Sequence, residues 1–144
     1  MIEKDNFLKL FEKTSNILMK DGNKSVARKI LLDSLATVET KLEKSKSFIF
    51  QRALYNLSPD LKIQKKKIGS TTYQIPVALT QEQKLNKGIK LLVSVAKSRK
   101  EYTMKDRLAF EIIDAFNNRG MSIKKKEEIH KLAEANKSYA HFSW

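Results

Sequence analysis

Between Leu61 and Ala78 the apolar residues switch from helical spacing to alternation, and this switch constrains the fold more than any other feature. Leu61 and Ile63 alternate with Lys62 and Gln64; after Gly69 and Ser70, residues Tyr73, Ile75 and Val77 share a face. That is the pattern of a half-buried hairpin. Past Ile63 the positions that should be apolar are Lys65 and Lys67. The base is therefore expected to pack on a body while the tip projects. An odd-length loop around Gly69 would set Ile63 opposite Val77 and Lys67 opposite Tyr73. Pro76 lacks a backbone donor, which suits an edge strand.

The rest of the chain reads as helix. A first helix over about 5–20 places Phe7, Leu8, Phe11 and Leu18 on one face, with Leu10 and Ile17 flanking it. The Asp21–Gly22 pair breaks it, and Ser25 is the expected N-cap of a second helix carrying Ile30, Leu31, Leu35, Val38 and Leu42. A third, about 47–57, holds Phe48, Ile49, Ala53, Leu54 and Leu57 and stops before Pro59. Thr80 and Gln83 form a capping box for a fourth helix with Leu85, Ile89, Leu92, Val93 and Ala96 inward. A fifth follows Thr103, with Met104, Leu108, Ile112 and Phe116 inward, and ends at Gly120. The last is expected over about 125–140, held by Ile129, Leu132, Ala133 and Asn136. The expectation is a mainly α protein: a six-helix single-domain bundle over 1–144, with one protruding β-hairpin arm at about 61–78 between the third and fourth helices.

Composition narrows the function. The net charge is +13, an excess that calls for a polyanionic partner, nucleic acid before an anionic membrane surface. There is no cysteine, so disulfides, thiolate metal sites and a cysteine nucleophile are excluded. Helical spacing separates His130 from His141 by about three turns, too far for one metal ion. A lone helical histidine of this kind is expected at the surface. The Ile68–Gly69–Ser70 turn has a single glycine and is no phosphate-cradling loop. We expect no enzyme, no cofactor and no metal. No apolar run approaches the roughly 18 residues that span a bilayer. The N-terminal residues lack the character of a signal or transit peptide, so the chain is expected to work where it is made, or its targeting segment lies outside this numbering.

The basic clusters are the informative residues. Lys62, Lys65, Lys66 and Lys67 lie on the arm, Lys20 and Lys24 at the first turn, and Lys84, Lys87 and Lys90 along the fourth helix. Lys124, Lys125 and Lys126 are expected to open the last helix, against its dipole, which hints at an external anion. Tyr73 could stack on an unstacked base or lie beside a lysine stem. The ending "NKSYAHFSW" concentrates Tyr139, His141, Phe142 and Trp144. Lysine contacts to phosphate give salt-dependent binding with little sequence discrimination, so a partner recognised by shape, such as folded RNA, fits this equipment. A general RNA or DNA chaperone would use the same lysines. A membrane-surface protein would gather them on one amphipathic helix, which this chain does not.

The segments "LMKDGNKSVARKIL", "GSTTYQIPV" and "KKKEEIHKLAEANKSYAHFSW" resemble the bacterial-type and organellar family of protein seven of the small ribosomal subunit, in order and over nearly the whole chain. The resemblance implies binding to the 3′ major domain of small-subunit rRNA and nucleation of head assembly. It also implies neighbouring head and platform proteins, a hairpin near exit-site tRNA and the mRNA exit path, and no membrane. Carried over by position, the RNA-binding candidates are Lys20, Lys24, Lys62, Lys65, Lys66, Lys67, Tyr73, Gln74, Lys87, Lys90, Lys124, Lys125, Lys126, Asn136, Lys137, His141 and Trp144.

The sequence departs from that family in three ways. A basic N-terminal extension is expected from the resemblance, yet residues 1–11 enter the first helix almost at once. Lys65, Lys67 and Lys90 stand where arginine is usual, and lysine cannot make the planar two-pronged phosphate contact. Ser143 stands where arginine is common. The bias to Lys, Asn, Ile and Ser, with arginine only at 28, 52, 99, 107 and 119, points to an AT-rich, organelle-encoded gene. The expected location is a mitochondrial matrix ribosome, with plastid stroma or bacterial cytoplasm next.

Overall fold

The computed structural model describes residues 4–137. Among them are six α-helices and one hairpin: α1 Lys4–Leu18, α2 Lys24–Leu42, α3 Lys46–Leu57, β1 Leu61–Ile68, β2 Thr71–Ala78, α4 Gln81–Lys97, α5 Met104–Phe116 and α6 Met121–Ala135. The expected architecture, mainly helical with a hairpin between α3 and α4, is the one observed.

Helix α5 lies at the centre, packed against α2, α3 and α4. Leu31 and Leu35 of α2, Ile49, Phe50, Leu54 and Leu57 of α3, Ile89 and Leu92 of α4, and Leu108 and Ile112 of α5 are fully buried. Each such side chain contributes about 1.5–3 kcal/mol. Thr80 and Gln83 form the expected capping box, and the Thr103 hydroxyl accepts from the Asp106 N–H to open α5.

Several boundaries and faces differ from expectation, each for a local reason. In α1, Leu8 is 55% exposed while Leu10 is 7% exposed. The inner row is Phe7, Leu10, Phe11, Thr14, Ser15 and Leu18; the Thr14 and Ser15 hydroxyls donate to the Leu10 and Phe11 carbonyls, which lets polar residues sit inside. Asn23, not Ser25, precedes α2, because Asp21 and Gly22 both take positive φ and complete the turn earlier. Phe48 is exposed. Helix α6 begins at Met121, since Ser122 and Ile123 are buried in its first turn, and ends at Ala135. Leu132, expected inward, is 41% exposed.

The hairpin register is shifted by one from expectation. Ile63 faces Pro76, Lys65 faces Gln74, Lys66 faces Tyr73 and Lys67 faces Thr72. The cause is an even, two-residue turn: Gly69 has φ +63° and Ser70 follows, a Gly-first hairpin turn. Leu61, Pro76 and Ala78 lie beside His130 and Ala133 of α6, so the base packs on the body as expected. His130 is not an idle surface residue: its Nε2 accepts the Asp60 backbone N–H at 3.2 Å, fastening α6 to the start of the arm.

Candidate nucleic-acid interface

The arm carries its lysines on both faces. Lys65 and Lys67 are exposed on the face that also bears Gln74 and Thr72. Lys62 and Lys66, with Tyr73 directly opposite Lys66, occupy the other face and are half-buried. The expected Lys67–Tyr73 pairing is thus replaced by Lys66–Tyr73.

A second set runs along α4. With Leu85, Ile89, Leu92, Val93 and Ala96 turned toward the body, Lys87, Lys90 and Lys97 form one exposed row. Ten residues of helix place Lys87 and Lys97 about 15 Å apart. At the C-terminal end of this row, Lys97 and Lys20 line one depression of about 570 Å³ with Met104. The α4 row and the first turn therefore meet. Lys24 faces elsewhere, ion-paired to Glu12 together with Arg28. Hydrogen bonds from Lys24 and then Arg28 hold the Glu12 carboxyl below the usual carboxylate range.

The α6 candidates divide. Lys124 and Lys125 are exposed, but Met121 starts the helix, so they lie in its second turn and the expected conflict with the dipole is weakened. The Lys126 ammonium donates to the Asn56 carbonyl at 2.8 Å, closing the end of α3. Asn136 caps its own helix, its amide donating to the Leu132 carbonyl at 2.8 Å. Lys137 pairs with Glu134 at 3.0 Å. His141 and Trp144, with Tyr139 and Phe142, lie outside the described residues.

The sequence reading missed a groove of about 680 Å³ lined by Lys9 and Lys13 of α1, Tyr55, Lys84 and Lys126. Lys13 pairs with Glu82 at 3.6 Å and Lys84 with Asp60 at 3.2 Å. The i, i+4 spacing of Lys9 and Lys13 was the available signal. Also missed was an ion cluster under the α4–α5 turn. Arg99 reaches Glu101 at 2.8 Å, Glu111 at 2.7 Å and Asp114 at 2.9 Å; Arg119 adds a second contact to Asp114. Glu111 is 0% exposed and accepts from both the backbone and the hydroxyl of Ser122. Hydrogen bonds that Arg99 donates, first to Glu101, raise the Arg99 pKa, and Arg99 in turn holds Glu101 below the usual carboxylate range.

Among the described residues no group of three or more His, Asp or Glu could hold a metal ion, and no helix is long and apolar enough to cross a membrane. What the geometry offers is positive charge: a lysine-bearing arm, a lysine row on α4 and a basic first turn, all on one helical body. Residues 3–137 match the family described as ribosomal protein S7p/S5e. The chain belongs to that family. It is 41% identical over 136 residues to the small ribosomal subunit protein uS7 of Thermodesulfovibrio yellowstonii, covering 94% of this chain and 87% of that protein. The uS7 proteins of Phytoplasma mali and Mycoplasma mobile are each 43% identical over the same shares. The S7 family match spans all six helices and the arm.

Proposed function

We propose that this chain is a structural component of the small ribosomal subunit that binds the 3′ major domain of small-subunit rRNA and nucleates assembly of the subunit head. It acts as one rRNA-binding domain and catalyses nothing. The observation that carries this reading is the projecting arm with Lys65 and Lys67 exposed, set on the same body as the Lys87–Lys90–Lys97 row. Family membership supports it.

The contact residues are Lys20, Lys62, Lys65, Lys66, Lys67, Tyr73, Gln74, Lys87, Lys90, Lys124 and Lys125, with Lys137, His141 and Trp144 from the C-terminal end. Lys24, Lys126 and Asn136 act instead through the protein contacts described above, holding neighbouring surfaces in place. The arm lies toward exit-site tRNA and the mRNA exit path, and head and platform proteins neighbour the body. The host ribosome is organellar, mitochondrial first, on the strength of the lysine and asparagine bias; the relatives compared above come from bacteria, and subcellular fractionation of the source cell decides between matrix, stroma and bacterial cytoplasm.

The test is a filter-binding salt titration against the 3′ major domain RNA, beside an unrelated structured RNA of equal length. A preference of about a hundredfold, some 2.7 kcal/mol, is expected. Equal affinity and equal salt slopes for both would instead indicate a general nucleic-acid chaperone.

A further inference from the structure

The α4–α5 turn presents one aromatic ring almost wholly to solvent: Tyr102 is 95% exposed. A single exposed aromatic is ordinary. The support beneath this one is not. Tyr102 immediately precedes the N-cap Thr103 of α5, a place from which an apolar side chain usually folds back onto the fourth helical residue. Here that residue is Arg107, whose guanidinium donates to the Glu101 carbonyl at 2.6 Å and the Tyr102 carbonyl at 3.4 Å. The backbone is braced and the ring is left outside.

The bracing continues inward. Arg99 clamps the Glu101 carboxylate and is itself held by Glu111 and Asp114. The Ser34 hydroxyl of α2 donates to the Lys105 carbonyl at 2.8 Å, fixing the far side of the turn. Burying such an ion cluster carries a desolvation cost, and a well-packed apolar cluster would hold two helices together as well. The cluster here sits under a surface turn and fixes its course. That turn carries Lys100 and is flanked by Lys97 at the end of α4 and Lys105 at the start of α5, all exposed and none tied to an acid among the described residues. Lys97 shares its depression with Lys20.

We propose that Tyr102 is a base-stacking platform for an unpaired nucleotide of RNA, with Lys97, Lys100 and Lys105 taking the flanking phosphates. With the backbone beneath it braced, only the rotation of the side chain is lost when a base lands on the ring, and stacking tolerates any base. This rests on the RNA-binding reading and adds a second footprint, built on a turn rather than on the arm.

The experiment measures binding of the wild-type chain, Tyr102→Ala, Tyr102→Phe and Lys100→Ala to the 3′ major domain RNA across a salt series. Tyr102→Ala is expected to bind about tenfold more weakly at every salt concentration, the loss of one stacked base. Its salt slope should match the wild type, whereas Lys100→Ala should lower the slope by about one. Tyr102→Phe should bind within about twofold of wild type, since the ring is kept. Thermal melts of all variants should coincide, because the ring leaves only solvent. Wild-type affinity in Tyr102→Ala overturns the proposal and leaves the turn to a protein partner. So does a Tyr102→Phe variant as weak as Tyr102→Ala, which would indicate a hydroxyl hydrogen bond. The wild-type preference for this RNA over the control reports on the underlying RNA reading independently of either variant.

Discussion

Replacing Lys65 and Lys67 together by alanine should change how RNA binding depends on salt by an amount that can be worked out beforehand. Both ammonium groups are exposed on one face of the arm, beyond the base where Leu61 and Pro76 lie against α6. Each phosphate neutralised releases counterions and adds about 0.7–0.9 to the slope of log K against log salt. Two contacts therefore lower the slope by about 1.4–1.8 when removed. If counterion release is their whole contribution, the loss vanishes near 1 M salt, reaches about five- to ninefold at 0.3 M and about 25- to 60-fold at 0.1 M. The assay is filter binding of the double variant and wild type to the 3′ major domain RNA over that range. Parallel lines, with the same fold loss at every salt, would refute an electrostatic role. Coincident lines would show that the tip does not touch RNA. A fall in the helical signal would make the arm part of the fold, against the exposure of both side chains.

Removing the Glu111 carboxylate by Glu111→Ala breaks a fully buried acceptor of Arg99 and Ser122; the expected cost is about 3–5 kcal/mol, seen as a lower urea midpoint at unchanged slope, and a cost below about 1 kcal/mol would contradict the structural role of the cluster. Gly120 takes φ +96° and ψ 178°, and an added Cβ would lie 2.9 Å from the Asp114 Cβ. Gly120→Ala should therefore destabilise by about 1–3 kcal/mol in the same assay, while an unchanged midpoint would show that the turn yields freely. Glu12 and Glu101 have folded-state pKa values below the ordinary range, so the stability they contribute is complete above the unfolded value of about 4.3 and is lost as pH falls through the folded values. Denaturation at a series of pH values should show Glu101→Gln losing less stability than wild type as the medium is acidified from about pH 5.

The helices were legible because their inner faces repeat without interruption: Ile89, Leu92, Val93 and Ala96 in α4 need no context to be read. Legibility failed where polar atoms are satisfied locally or over long distances. Thr14 and Ser15 look like a break in the α1 pattern until their hydroxyls are seen to bond back to their own helix. The start of α6 was masked because Ser122, in its first turn, looks like a surface residue, yet it is buried against a glutamate eleven residues earlier. Similarly, His130 and Asp60 lie 70 residues apart and share a hydrogen bond that no spacing rule announces. The hairpin was placed correctly, but its register depends on whether the turn holds an odd or even number of residues. Alternation alone does not decide that, because lysines interrupt the apolar row on β1. The lysine list needed the structure in the same way. Lys24 and Lys126 are as basic in the sequence as Lys65, and only the structure shows their protein partners, Glu12 and the Asn56 carbonyl.

All five arginines are engaged within the protein: Arg28 with Glu12, Arg52 over the Tyr55 ring at 5.3 Å, Arg99 and Arg107 at the α4–α5 turn, and Arg119, between α5 and α6, with Asp114. The planar guanidinium suits such fixed, multi-pronged geometry, whereas an ammonium is a compact, strongly hydrated point charge. The exposed cations of the arm, the α4 row and the first turn are accordingly lysines, point charges that accept a phosphate from many directions. Such an interface cannot discriminate one RNA from another contact by contact. On the proposed reading discrimination comes from spacing: the arm, the α4 row and the first turn would have to meet three stretches of RNA backbone at once. On that reading the bundle that holds those three surfaces at fixed separation is then itself the source of specificity, and the arginines, through their protein contacts, are part of what holds it.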